Sequence, residues 1–147
     1  MYQHLFVPVD GSELSHRAMD GSIALAKQLG ARITGFVVEP DVGMPHSSEE
    51  AKHYAQLLKQ NEAENESHAK ALLSQFEQRA AAAGVSFSAH HVTAAGVDEA
   101  IVSEAEQIGC DMIVMVTHGR GKLGELLFGS HTRNIIQRSK LPVLVLH

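Results

Sequence analysis

The chain has a single cysteine, Cys110, among 147 residues. One thiol cannot form a disulfide framework within the chain, and this usage fits a reducing compartment. It also lacks a basic surplus. Formal net charge is −5, and without a basic patch to meet phosphate backbones a general nucleic-acid surface is not expected. No apolar run approaches the roughly 18 residues of a membrane span. The opening, MYQHLFVPVDGS, has neither the basic nor the apolar region of a signal peptide. There is no internal repeat, no low-complexity tract and no linker that would divide domains. The expectation is a cytoplasmic domain with no membrane and no nucleic-acid partner.

What is present alternates. Short β-prone runs, Leu5–Val9, Ile33–Val38, Val85–Val92, Met112–Val116 and the terminal LPVLVLH, are separated by longer helical patterns. Leu14, Ala18, Leu25 and Leu29 share a helical face closed by Gly30, and Val97, Ile101, Ala105 and Ile108 make another closed by Gly109. A long helical stretch is predicted over roughly Ser48 to Ala83. Its first half is polar, solvent-facing or irregular, and its second half carries Ala69, Leu72, Leu73, Phe76 and Ala80 at helical spacing. A last helix follows Gly129-Ser130, through about Ser139. Strand and helix in alternation predict α/β: a single-domain, doubly wound, five-stranded parallel sheet with helices on both faces, spanning 1–147. The run Val85–Val92, less apolar than the others, is expected at an edge.

The segment DMIVMVTHGRGKLGELLFGS, Asp111 to Ser130, poses the functional question. Gly119, Gly121 and Gly124 spell G-x-G-x-x-G, but a dinucleotide fold needs an acidic residue about 20 positions on, at the end of a further strand. Ser139 and Lys140 stand there. A P-loop needs Ser or Thr after its lysine, and Lys122 is followed by Leu123. A third arrangement suits the composition. In an open parallel sheet, ligands bind beyond the carboxyl ends of strands where the strand order reverses. If the first and fourth strands are neighbours, Pro8-Val9-Asp10 and the Gly119 loop share a crevice. The helix beginning at Gly129-Ser130 then aims backbone N–H groups and a partial positive charge at it. The parts suit a mononucleotide, with Asp10 able to accept from a ribose hydroxyl or an adenine amino group.

At these residues the sequence resembles the universal stress protein family of the UspA type. The likeness runs through LFVPVDGSELSHRAMDGSIALA, GFVVEP and THGRGKLGELLFGSHTRNIIQRSKLPVLVL. Nucleotide-binding members carry G-x-x-G, nine residues, then G-[S/T]; Gly119, the nine residues RGKLGELLF and Gly129-Ser130 match. The first motif glycine is replaced by Val116. Either Val116 points into the sheet packing and leaves the pocket open, or its methyls crowd the ribose and phosphates.

The resemblance implies a Rossmann-like, adenine nucleotide alpha hydrolase-like fold and ATP or another adenine nucleotide as cofactor, with Mg2+. It implies Asp10 at the adenosine with Pro8 and Val9 beside it, Val37 at the adenine, and Met115 and Val116 at the sugar. Gly119, Gly129, Ser130, His131 and Thr132 would hold the phosphates. It implies a homodimer through the C-terminal strand, an unidentified protein partner, and at most slow ATP hydrolysis; no catalytic residue is assigned. Plainer roles stand beside these. Asp10 can tie down the first helix, and Ser130 can cap the last. Ten histidines do not make a metal site, since none shows the i, i+4 zinc spacing with an intervening glutamate. Cys110 reads as a small buried apolar residue. A universal stress domain that has lost nucleotide binding and acts through protein contacts is the alternative function.

Overall fold

The computed structural model describes residues 1–41, 44–45, 47–117 and 130–147. In chain order it comprises β1 (His4–Pro8), α1 (Glu13–Leu29), β2 (Arg32–Pro40), α2 (Ser48–Ala82), β3 (Phe87–Ala94), α3 (Val97–Ile108), β4 (Met112–Val116), α4 (Ser130–Arg138) and β5 (Val143–Leu146). The strands form one sheet in the order β3-β2-β1-β4-β5, and every pairing is parallel. The order reverses between β1 and β4.

Strand alternation sorts the core into two layers. Leu5, Val7, Val9, Ile33, Val37 and Val114 meet Ala18, Met19 and Ile23 of α1 and Leu72, Leu73 and Phe76 of α2. On the other face, Phe6, Phe36 and Ile113 meet Ile101, Val102 and Ala105 of α3 and Ile135 of α4. The sheet is doubly wound.

Close approach on the first face depends on Gly35. A Cβ there would lie 2.5 Å from Phe87 and 3.1 Å from Phe76, two rings packed with centroids 4.9 Å apart. Gly30 closes α1 in the left-handed region, φ 66°, as its position at the end of the apolar stripe predicts.

The structure modifies the expected boundaries. β2 runs on through Glu39 and Pro40, paired with Thr93 and Ala94 of β3. The polar first half of α2 is helical throughout rather than irregular. Ser47 caps it by accepting the Glu50 amide, and Glu66–Lys70 adds an i, i+4 ion pair. All buried residues of α2 lie from Ala69 onward. Thirty-five residues make a helix of about 52 Å, longer than the roughly 30 Å of a nine-residue strand. The start of α2 therefore overhangs the sheet.

Candidate functional site

The site expected from the sequence lies where the strand order reverses. β1 and β4 pair through Leu5↔Met112 and Phe6↔Ile113, although both strands run further, to Pro8 and Val116. Hydrogen-bond alternation explains where that pairing stops. His4 turns its carbonyl to β4, accepting from the Asp111 amide at 3.0 Å, while Val9 turns its amide to β2, donating to Phe36 at 2.8 Å. Pro8, an even position like His4, therefore faces its nitrogen toward β4, and it has no hydrogen to give. A proline in a central strand is costly except where a ladder has to open. Here it stands at the switch point, the place at which an open parallel sheet receives a ligand in the crevice beyond its strand ends.

Asp10 and Gly11 follow Pro8-Val9 at the crevice edge. The Asp10 carboxylate accepts from the Ser12 amide at 2.9 Å and from the Ser15 hydroxyl at 2.8 Å. Ser15 in turn accepts the amides of Asp10 at 2.8 Å and Gly11 at 3.1 Å. Partial burial alone would raise the carboxyl pKa. The hydrogen bonds from Ser12 and Ser15 and from its own amide outweigh it, holding Asp10 below the usual carboxylate range. The plainer role is thus present: Asp10 ties down the entry to α1. The turn also keeps an exposed, ionised acceptor at the crevice. Ser12, the N-cap, makes no side-chain cap bond.

Val9 is buried in the core at 6% exposure, and Val37 at 1%. Val37 pairs with His91 of β3 and packs in the layer under α1 and α2. Met115 and Val116 are half-buried on opposite faces of β4. Val116 packs against the α1/α2 layer and pairs with Leu146; Met115 packs against the α3/α4 layer. Of the two orientations open to Val116, the structure has the one that points into the packing. Gly119 and Gly129, with His118, Arg120 and Lys122, lie outside the described residues.

α4 connects β4 to the parallel strand β5, so its first turn sits at the same carboxyl edge as the crevice. Ser130 and His131 are exposed there, whereas Thr132 is buried at 3% exposure. The His131 Nδ1 is 2.7 Å from the carboxylate of Asp98, in the first turn of α3, and Asn134 donates to the same carboxylate at 2.9 Å. His131 therefore links the two helices on that face. Thr117, which follows β4, donates its amide to Leu146; its buried hydroxyl finds no partner among the described residues.

Two residues at the same edge escaped sequence reasoning. Glu39, 7% exposed, is paired with His68 Nδ1 of α2 at 2.5 Å. His68 precedes Leu72 and Phe76 at helical spacing, the signal that would have placed it on the inward stripe. Glu39 follows Ile33, Gly35 and Val37 at strand spacing on the α2 face. Nothing local links the pair, which are 29 positions apart.

A hollow of about 690 Å3 opens at the opposite, amino end of the sheet, lined by Gln3, His4, Lys27, Arg32 and Asp111. It is a poor phosphate seat. The C-terminal ends of α1 and α2 at Gly30 and Gly84 reach it, with Gly109 after α3, and helix C-termini carry partial negative charge. Cys110 is buried at 4% exposure. Burial pushes its thiol up to about 11 against a smaller opposing hydrogen bond from Thr34, so it is an inert packing residue as expected. Among the described residues, no three His, Cys, Asp or Glu side chains gather into a metal cluster, and no helix is long and apolar enough to cross a membrane.

Residues 1–147 match the family model described as the universal stress protein family. The chain is 30% identical to Universal stress protein MJ0531 of Methanocaldococcus jannaschii, over 99% of this chain and 82% of that protein. The solved structure of MJ0577 superposes with a TM-score of 0.78 at 27% identity, covering 99% of this chain and 96% of that one. A universal stress protein solved in complex with cAMP superposes with a TM-score of 0.66 at 26% identity, over 99% of this chain and 97% of that one.

Proposed function

The chain belongs to the universal stress protein family, and from that premise we propose that it is a cytoplasmic adenine-nucleotide-binding module of the stress response. The observation that carries this reading is the reversal of strand order between β1 and β4, opened on one side by Pro8 and furnished with the ionised Asp10 turn. The relative solved with cAMP bound supports it. ATP or a related nucleotide lies with its adenosine toward Asp10, Pro8 and Val9. Its phosphates lie toward the first turn of α4, where Ser130 and the helix dipole favour anions. Gly119 and Gly129 contribute by their motif positions. Magnesium would accompany the phosphates. Occupancy alters shape or partner choice rather than driving rapid turnover.

β5, an edge strand with all four residues half-buried, pairs with its copy in a second chain to make a homodimer. The alternative is action through protein contacts without nucleotide, and it turns on Val116, which replaces the motif glycine.

The test is direct. Protein purified without added nucleotide is heat-denatured, and the supernatant is assayed for adenine nucleotide. Independently, ATP, ADP and AMP at millimolar concentration with magnesium should raise the melting temperature through binding linkage. No released nucleotide and no shift with any of the three would replace this reading with the alternative. A monomer in sedimentation at micromolar concentration would remove the dimer.

A further inference from the structure

We infer that β3 is a self-association edge: two copies of the chain join their sheets by antiparallel β3–β3 pairing about a two-fold axis through His90. β3 ends the sheet on the side away from β5, and the contact stands apart from both the nucleotide reading and the β5 dimer. Its free groups follow from the ladder. Ile33 pairs with Phe87 and donates to the Ser86 carbonyl, so in this parallel register Ser88, His90 and Val92 turn their amides and carbonyls to β2. Phe87, Ala89, His91 and Thr93 turn theirs outward, and among the described residues no backbone bond reaches them. Sheets usually blunt such an edge by shortness, proline, charge or a bulge. β3 has 8 residues with no proline, lysine, arginine or carboxylate, and its register with β2 is unbroken.

The strand is complementary to itself. An axis through His90 sets Phe87 opposite Thr93 and Ala89 opposite His91, so every outward amide and carbonyl is paired. An aromatic ring then meets a β-branched side chain, a small residue meets a large one, and no like charges lie opposite. Moving the axis to Ala89 or His91 leaves an outward residue without a partner in the strand. His90 meets its own copy at a non-hydrogen-bonded position. Each ring leans inward there, stacked on Phe36 at 5.6 Å between centroids and 2.7 Å from Glu104.

The helix above agrees. Phe76 packs on Phe87, and His68 reaches Glu39, the residue beside Thr93, so the axis passes near Leu72, midway between. Arg79 turns to α1, bonded to Asp20 and His16. At about 100° per residue, Glu66, Lys70 and Glu77 share the opposite side of α2, toward the edge. Antiparallel α2 helices in the two copies bring Lys70 of each within a turn of Glu77 of the other, opposite charge to opposite charge.

Sedimentation of the intact protein over a range of concentrations reads the contact. Ala89→Pro removes an amide that serves no bond to β2 and should lose the association with circular dichroism unchanged. Ala89→Lys keeps every backbone bond within the chain and should lose it as well. His90→Cys sets two thiols across the axis with Cα atoms about 4.5 Å apart, within disulfide reach, and should give a covalent dimer under mild oxidation. Ser88→Cys stands on the same face about 13 Å from its copy and should not. Cys110, 4% exposed, adds no background. A dimer that survives in both Ala89 variants is the β5 contact, and the proposal then requires the parent to be larger still. Equal masses for the parent and both Ala89 variants at every concentration overturn it, leaving the edge to an extended segment of a different protein. Equal disulfide yields from the two cysteine variants overturn it too.

Discussion

The Ser15 hydroxyl and the Asp10 carboxylate are 2.8 Å apart, and the same hydroxyl accepts the Asp10 amide, also at 2.8 Å. The two residues close a small ring at the tip of β1, and the Gly11 amide joins it at 3.1 Å. Ser15 is 4% exposed, and its loss takes the partner from the part-buried bonds of the Asp10 and Gly11 amides. Ser15→Ala should cost about 1–3 kcal/mol, lowering the melting temperature by about 2–4 °C per kcal/mol in a chain of this size. A variant melting with the parent would show that the ring contributes nothing.

Asp10 makes the same ring depend on acid. Its folded pKa lies below the ordinary 3.8 because hydrogen bonds to the charged form exceed the burial penalty. Above that ordinary value the bonds contribute their full stability; as pH falls through the folded pKa the contribution disappears. Asn keeps the acceptor oxygen but not the charge. Asp10→Asn should therefore be less stable than the parent near pH 6, and the gap should close below about pH 4 in urea unfolding. A gap independent of pH would remove the charge from the account.

Much of the scaffold was legible because local pattern and tertiary demand agree. β4 and α3 have the boundaries their sequences suggest, since an unbroken apolar run and a glycine-closed stripe each permit one solution. β3 was readable as an edge because its run is less apolar than the others, whereas the adjacency of β1 and β4 was a condition of the site that the sheet order supplies. Failures occurred where a distant partner decides. Glu39 and Pro40 look like the end of a strand, yet β2 continues because His68 and Asn65, far along the chain, satisfy them. The overhanging half of α2 has no apolar stripe to announce it; helix-forming residues and a cap carry it instead. At the site, Asp10 was visible as a turn residue, whereas the engagement of His131 with Asp98 required knowing that α3 and α4 lie side by side.

His4 gives a second pH signature at the other end of β1. It is 7% exposed, with Nε2 2.7 Å from Thr34 Oγ1 and Nδ1 buried without a partner among the described residues. Burial, then the Arg32 charge, lowers its pKa below 6.5, with Asp111 opposing. The folded protein keeps His4 neutral while the unfolded chain takes up a proton below about pH 6.5. Stability from this residue is therefore complete above that pH and declines as pH falls toward the folded value. His4→Phe, an aromatic ring of similar size, should flatten the fall in urea-unfolding free energy between pH 7.5 and 5.5 relative to the parent. Parallel declines would mean that another of the histidines sets the slope.

Val116 decides whether the missing motif glycine matters. Its side chain packs against the α1/α2 layer and its backbone pairs with Leu146, so the methyls face core rather than crevice. Val116→Gly should then behave as a core truncation with a strand-glycine penalty, costing about 1–3 kcal/mol. ATP affinity, measured well below the lowered melting temperature, should stay within about twofold of the parent, a change of less than about 0.5 kcal/mol. Binding that appears or tightens tenfold in the variant would assign the obstruction to those methyls. It would also show that the parent chain had given up nucleotide through one side chain, with β1, Asp10 and the first turn of α4 otherwise intact.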